Sequence, residues 1–105
     1  MNRWLVGLAA SVLAGAALAS DPDAGARPDL EYLLKHDCGS CHGMRLTGGL
    51  GPPLTADALG SYPVEFVADV ILHGRGGTAM PPFRALLDPG EARWLAEYLL
   101  RGEKP

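Results

Sequence analysis

Two cysteines, the only ones among 105 residues, stand three positions apart with a histidine directly after the second: Cys38-Gly39-Ser40-Cys41-His42. A disulfide between them would close a very small, strained loop and add little stability. A thioredoxin-like redox pair expects a βαβ setting, and no segment here alternates as a strand does. A zinc or iron–sulfur site needs about four ligands, mostly Cys or His. Outside the motif only His36 and His73 remain, at no recognised metal spacing. The spacing is instead the attachment signature of c-type haem. Each thiol adds across one vinyl group to form a thioether, and His42 then lies beneath the iron as an axial ligand. One covalently bound haem c is the expected cofactor.

Haem attachment of this kind belongs to exported proteins, and the N-terminus agrees. Met1-Asn2-Arg3 is a short positive start, residues 4–18 are apolar and Ala-rich, and Ala17-Leu18-Ala19 is an A-x-A cleavage site. That layout predicts a secretory signal peptide over residues 1–19. The competing reading is a retained membrane anchor, but the apolar stretch is short for a span and rich in small residues. No membrane span is expected after cleavage. Without Arg3 the chain carries 8 Lys and Arg against 12 Asp and Glu, a formal net charge of −4 with His neutral. No basic run points to nucleic acid. A mildly acidic surface suits a protein that docks briefly on a partner. So small a domain is marginal without a staple, and a covalently held apolar haem supplies one.

Residues 20–27 are polar, hold Pro22 and Gly25, and read as a flexible lead-in to a single domain over residues 28–105. Pro28 suits the first turn of a helix, and Leu30, Leu33 and Leu34 share a face. That helix is predicted to run to about Asp37 and deliver the chain into the Cys-x-x-Cys-His turn. Residues 43–53 are Gly- and Pro-rich, with no helical period, and too long for a simple turn. A short helical turn is expected at residues 55–58. Pro63 opens a clearer helix, with Val64, Val67, Ala68, Ile71 and Leu72 at three-to-four spacing, ending near His73-Gly74.

Residues 75–83 are again Gly/Pro-rich and contain Met80-Pro81-Pro82. Asp88-Pro89-Gly90-Glu91 is a helix start with a capping box. Leu95, Ala96 and Leu99 then form an apolar stripe, Trp94 and Tyr98 lie alongside where the last helix packs on the first, and Gly102 ends the helix. The expected fold class is all-α, with three main helices and a cofactor between two long loops.

The second axial ligand decides between electron transfer and chemistry on a bound molecule. Met44, Met80, His36 and His73 are the candidates. Met44 and His36 each lie two positions from the motif, and so short a tether cannot cross the porphyrin. Met80 is the preferred ligand, because its prolyl neighbours stiffen the backbone that presents a weak thioether. His73 is the alternative, with a plain helix-terminal role as its ordinary reading. The carbonyl of Pro52 is the expected acceptor for the second ring nitrogen of His42. Arg75, Arg45, Tyr62 and Trp94 are candidates for the haem propionates, Arg75 first because it shares the Met80 loop.

Taken together these residues resemble the class I cytochromes c over nearly the whole mature chain. The likeness runs through the first helix, Cys38-x-x-Cys41-His42, Gly51-Pro52 before Leu54, the Met80-Pro81 loop, and Tyr98-Leu99 in the last helix. It implies the class I cytochrome c fold, with first and last helices crossing. The chain is more closely similar to the small NirC-type (cytochrome c55X) monohaem cytochromes of denitrifying bacteria. That likeness is carried by Cys41-His42-Gly43-Met44, Leu46-Thr47-Gly48-Gly49-Leu50-Gly51-Pro52, residues 71–83 and Glu91-Ala92-Arg93-Trp94-Leu95. Pro53 departs from the polar residue of many class I members.

The resemblance implies a periplasmic single-electron carrier, with haem-cd nitrite reductase as acceptor. A membrane quinol-oxidising complex or another cytochrome is the expected donor, and a monomer the expected state. An electron carrier for another periplasmic oxidoreductase, or for d-type haem maturation, is a variant of the same reading. A haem-based ligand-binding or sensing module is the alternative from another class. No constellation of general acid, base or nucleophile appears, so a carrier and not an enzyme is expected.

Overall fold

The computed structural model describes residues 29–105. The expected signal peptide, the lead-in and Pro28 lie outside the described residues. Those described are helical without a strand, and none of their helices is long and apolar enough to cross a membrane.

The first helix, α1, covers residues 29–42 and does not stop at Asp37. Its middle, Leu34–Cys38, is a π-turn in which the Gly39 N–H reaches back to the Leu34 carbonyl; Gly39–His42 then continues as α-helix. Gly39 adopts φ −61° and ψ −27°, ordinary helical values, so the helix passes through the Cys-x-x-Cys segment. A Cβ there would make an ordinary contact, 3.5 Å from the Met44 sulfur. The break falls at Gly43, whose φ of +90° ends the helix as only glycine does readily.

A short helix, α2, spans Ala56–Leu59 and is capped by the Thr55 hydroxyl, which accepts from the Ala58 N–H at 3.3 Å. The third helix, α3, spans Val64–His73, with Pro63 in extended conformation at its N-cap and Gly74 at φ +70° after its end. The last, α4, spans Pro89–Leu100. Its capping box is complete: the Glu91 N–H donates to Asp88 Oδ1 at 2.7 Å, and the Asp88 N–H donates to Glu91 Oε1 at 3.1 Å. At the other end Gly102, at φ +76°, donates to the Leu99 carbonyl while Glu103 donates to that of Tyr98. That pair of bonds is a Schellman motif. Asp88→Ala should lower stability by about 1 kcal/mol, read by thermal unfolding, because the Glu91 N–H at the helix start loses its acceptor.

The core is one cluster. Leu30 and Leu34 of α1 join Val67, Ala68 and Ile71 of α3 and Ala92, Leu95, Ala96, Tyr98 and Leu99 of α4. Ala92 and Ala96 are fully buried, and such small side chains let helices approach closely. The first and last helices meet at Tyr98, whose hydroxyl is pushed up in pKa by burial and by the Glu31 carboxylate of α1 facing it. Tyr98 is buried and Trp94 half-buried beside it, ring centroids 5.0 Å apart. On the surface Arg93 bridges Glu65 of α3 at 3.1 Å and Glu97 of its own helix at 3.0 Å. Such exposed pairs contribute little. The apolar contact between α3 and α4 holds them together.

Candidate haem site

The loop after α1 folds back over the helix end and satisfies its carbonyls. The amides of Gly51, Gly48 and Leu46 donate to the carbonyls of Cys41, His42 and Gly43, each at 2.8 Å. Leu46 takes φ +60°, an unfavourable value for a branched side chain, and is kept there by burial and by the Leu54 N–H bonding its carbonyl at 2.9 Å. The loop therefore presents Gly51 and Pro52 to the buried His42 ring. His42 Nδ1 lies 2.7 Å from the Pro52 carbonyl oxygen. A carbonyl only accepts, so Nδ1 carries the proton and Nε2 keeps its lone pair free.

Gly51 is needed for that approach. A Cβ at position 51 would stand 2.7 Å from both Cε1 and Nδ1 of His42, closer than real contacts allow. Gly51→Ala should cost about 1–3 kcal/mol, since ring or loop must shift to admit a methyl group. Gly76→Ala is the internal control, because a Cβ there meets nothing within 4 Å. Urea unfolding of the two holoproteins compares them directly.

The second loop is stitched to α3. The N–H groups of Phe83 and Arg84 donate to the carbonyls of Ile71 and Leu72 at 3.0 and 3.1 Å, and the Arg75 N–H donates to the Met80 carbonyl at 3.2 Å. Gly74 again has no room for a side chain: a Cβ would lie 2.6 Å from the Met80 carbonyl oxygen.

Both loops border a single cavity of about 700 Å³, within the ~300–1,000 Å³ of cofactor sites. Its walls are mostly apolar and come from α1, α2, α3, α4 and both loops; Cys38, Cys41, His42 and Met80 all line it. The other ligand candidates do not. Met44 is exposed and lies over Gly39. His36 stacks on Tyr32 at 4.3 Å between ring centroids. His73 points outward beside Asp69, 3.6 Å away, and borders a separate shallow groove. Of the propionate candidates, Arg75 and Tyr62 line the cavity while Arg45 and Trp94 do not.

Several lining residues escaped the sequence reading. Phe66 and Val70 widen the apolar side of α3 and line the cavity together with Val67 and Ile71, which also belong to the core cluster. Phe66 also stacks on Tyr62, centroids 5.0 Å apart. A helix with a wide apolar side was the available signal. Leu50 and Leu86, large and exposed, complete the rim.

Burial pushes the free Cys38 thiol up to about 11, and the neighbouring Asp37 charge adds to the effect. A redox-active Cys-x-x-Cys pair needs the opposite, a thiol lowered toward neutrality. As a thioether, Cys38 has no ionisation to suppress. The donor set therefore fits covalent haem: two cysteines, an oriented imidazole and a thioether around an apolar space.

The family model described as cytochrome c oxidase, cbb3-type, subunit III, matches residues 25–99. Cytochrome c55X of Paracoccus denitrificans (strain Pd 1222) is 55% identical over 92 residues, which is 88% of this chain and 89% of that relative. The chain is a c-type cytochrome of the c55X family. The solved structure of a c-type cytochrome NirC superposes with a TM-score of 0.77 at 50% identity, covering 80% of this chain and 100% of that one. A dihydro-heme d1 dehydrogenase of Pseudomonas aeruginosa is 41% identical over 95 residues, 90% of this chain but 18% of the relative. The cytochrome c55X fold is the class I cytochrome c fold, and as a member this protein binds one haem c covalently and carries electrons.

Proposed function

We propose that this protein is an exported, periplasmic carrier that delivers single electrons to haem-cd nitrite reductase and is not itself an enzyme. Residues 1–19 direct its export. Cys38 and Cys41 form the thioethers, and His42 and Met80 are the axial ligands. Bound haem c supplies a one-electron iron couple. The observation that carries the reading is the shared cavity: among four candidates for the second ligand, Met80 borders it while Met44, His36 and His73 lie elsewhere.

The residues divide the work. The Pro52 carbonyl orients His42, and the loop anchored on Ile71 and Leu72 presents Met80. With both axial positions filled by this chain, no site is left for a substrate, and the reduction potential is raised. Arg75, which lines the cavity, holds a haem propionate. The apolar rim of Leu50 and Leu86 lets a partner approach the haem edge. A quinol-oxidising membrane complex or another cytochrome reloads the carrier.

Stopped-flow mixing of the reduced protein with purified haem-cd nitrite reductase tests the pairing. Fast oxidation that changes with ionic strength is expected, as for steered partners. Slow, salt-insensitive oxidation would reject this acceptor. A second reading, electron transfer during d-type haem maturation, is favoured by the likeness to part of a dihydro-heme d1 dehydrogenase. Mixing the oxidised protein with such a dehydrogenase and its substrate distinguishes the two.

A further inference from the structure

Residues 75–80 close a ring. The Arg75 N–H donates to the Met80 carbonyl at 3.2 Å, and the Thr78 N–H donates to the Arg75 carbonyl at 3.1 Å. Between these two bonds the chain reverses over Gly76 and Gly77, the latter at φ +76°. The Thr78 side chain ties the ring together. Its hydroxyl donates to the Arg75 carbonyl at 2.8 Å and accepts from the Met80 N–H at 3.3 Å.

Among the described residues no other part of the chain packs on this segment. Residues 75–79 are exposed, with Arg75, Thr78 and Ala79 bordering the haem cavity, and a Cβ at Gly76 or Gly77 would touch nothing. Beyond Met80 the chain is secured to α3 through Phe83 and Arg84; before it, Gly74 is secured through its N–H to the Val70 carbonyl at 2.8 Å. Between those anchors the hydrogen bonds of the ring are the ones among the described residues that hold the backbone leading into Met80. Among the described residues the Thr78 hydroxyl is the one acceptor for the Met80 N–H. Local side-chain-to-backbone bonds of this kind fix a turn that glycines would leave loose.

We propose that Thr78 is a positioning residue: by tying the Met80 N–H to the Arg75 carbonyl, it sets how firmly the Met80 thioether stays on the haem iron. This rests on the His42/Met80 reading above. A thioether is a weak ligand, so its hold depends on how little freedom its backbone has. Without the hydroxyl, residues 75–79 gain freedom, the sulfur leaves more often, and an outside ligand enters sooner.

The test uses the oxidised holoprotein and cyanide, whose binding at saturating concentration is limited by departure of the methionine. Thr78→Val keeps the branched shape without donor or acceptor, and should raise the limiting rate about five- to tenfold, the worth of roughly one lost net hydrogen bond. Thr78→Ser restores the hydroxyl and should stay within about twofold of the unsubstituted protein. If Thr78→Val does not accumulate as holoprotein, Thr78→Ala carries the same expectation.

Equal rates in all variants, with the sulfur-to-iron charge-transfer band present, overturn the role of Thr78 alone. So does a serine variant as fast as valine, because the methyl group would then matter and not the hydroxyl. A charge-transfer band absent from the unsubstituted protein overturns the Met80 assignment, and Thr78 with it.

Discussion

Met80→Leu should abolish the sulfur-to-iron charge-transfer band of the oxidised protein and open the reduced iron to carbon monoxide. Leucine has similar bulk but no thioether, so the change removes a ligand and leaves the packing nearly intact. The loop that carries it remains anchored through Phe83 and Arg84 on α3. The fold should therefore survive, and the loss should read as chemistry. The reduction potential should also fall, by on the order of 0.1–0.3 V out of the ~0.8 V that axial ligands command. A band that survives the substitution would remove Met80 from the iron. Rapid, complete carbon monoxide binding by the unsubstituted protein at neutral pH would favour the ligand-binding module over the carrier.

Leu95→Ala should produce the largest loss of stability. Leu95 is 0% exposed, sits in the cluster that joins α1, α3 and α4, and also lines the haem cavity. Truncation there removes buried apolar surface and leaves a void whose walls are helices with little freedom to collapse. The expected cost is about 2–5 kcal/mol, a large share of the ~5–15 kcal/mol that holds a domain folded. The midpoint of thermal unfolding, followed by circular dichroism, should fall by roughly 10–30 °C. A fall under about 5 °C would mean that covalent haem, more than side-chain packing, holds the last helix in place.

Much of this was legible because it is local chemistry. Asp88, Pro89 and Glu91 specify a helix start wherever they occur together, and the box forms as expected. Gly102 ends α4 because it alone there takes a positive φ easily. The outward turn of His73 follows from period as well: with Val67 and Ile71 buried, Asp69 and His73 fall on the other side of α3. The ring of residues 75–80 was not legible, since nothing in a threonine announces which carbonyl it will bond. Nor was Gly51 as the residue that makes room for His42, because the loop brings position 51 against position 42 only in three dimensions. The continuation of α1 through the motif was missed because the motif was expected to be a turn following a helix that ended at about Asp37, and a π-turn inside a helix leaves no mark in the apolar period.

The π-turn makes α1 tolerant of a change in chain length at one place. Lys35, His36 and Asp37 are exposed, and Asp37 also borders the haem cavity. The widened turn carries one residue more than an α-helical turn requires, so loss of Lys35 or His36 would let the helix relax to 3.6 residues per turn. Leu30 and Leu34 on one side and Cys38, Cys41 and His42 on the other would keep their relative orientation. The same deletion in an ordinary turn, as in α4, would rotate everything beyond it by about 100°. A lineage descending from this chain can drop a letter here and keep its haem site.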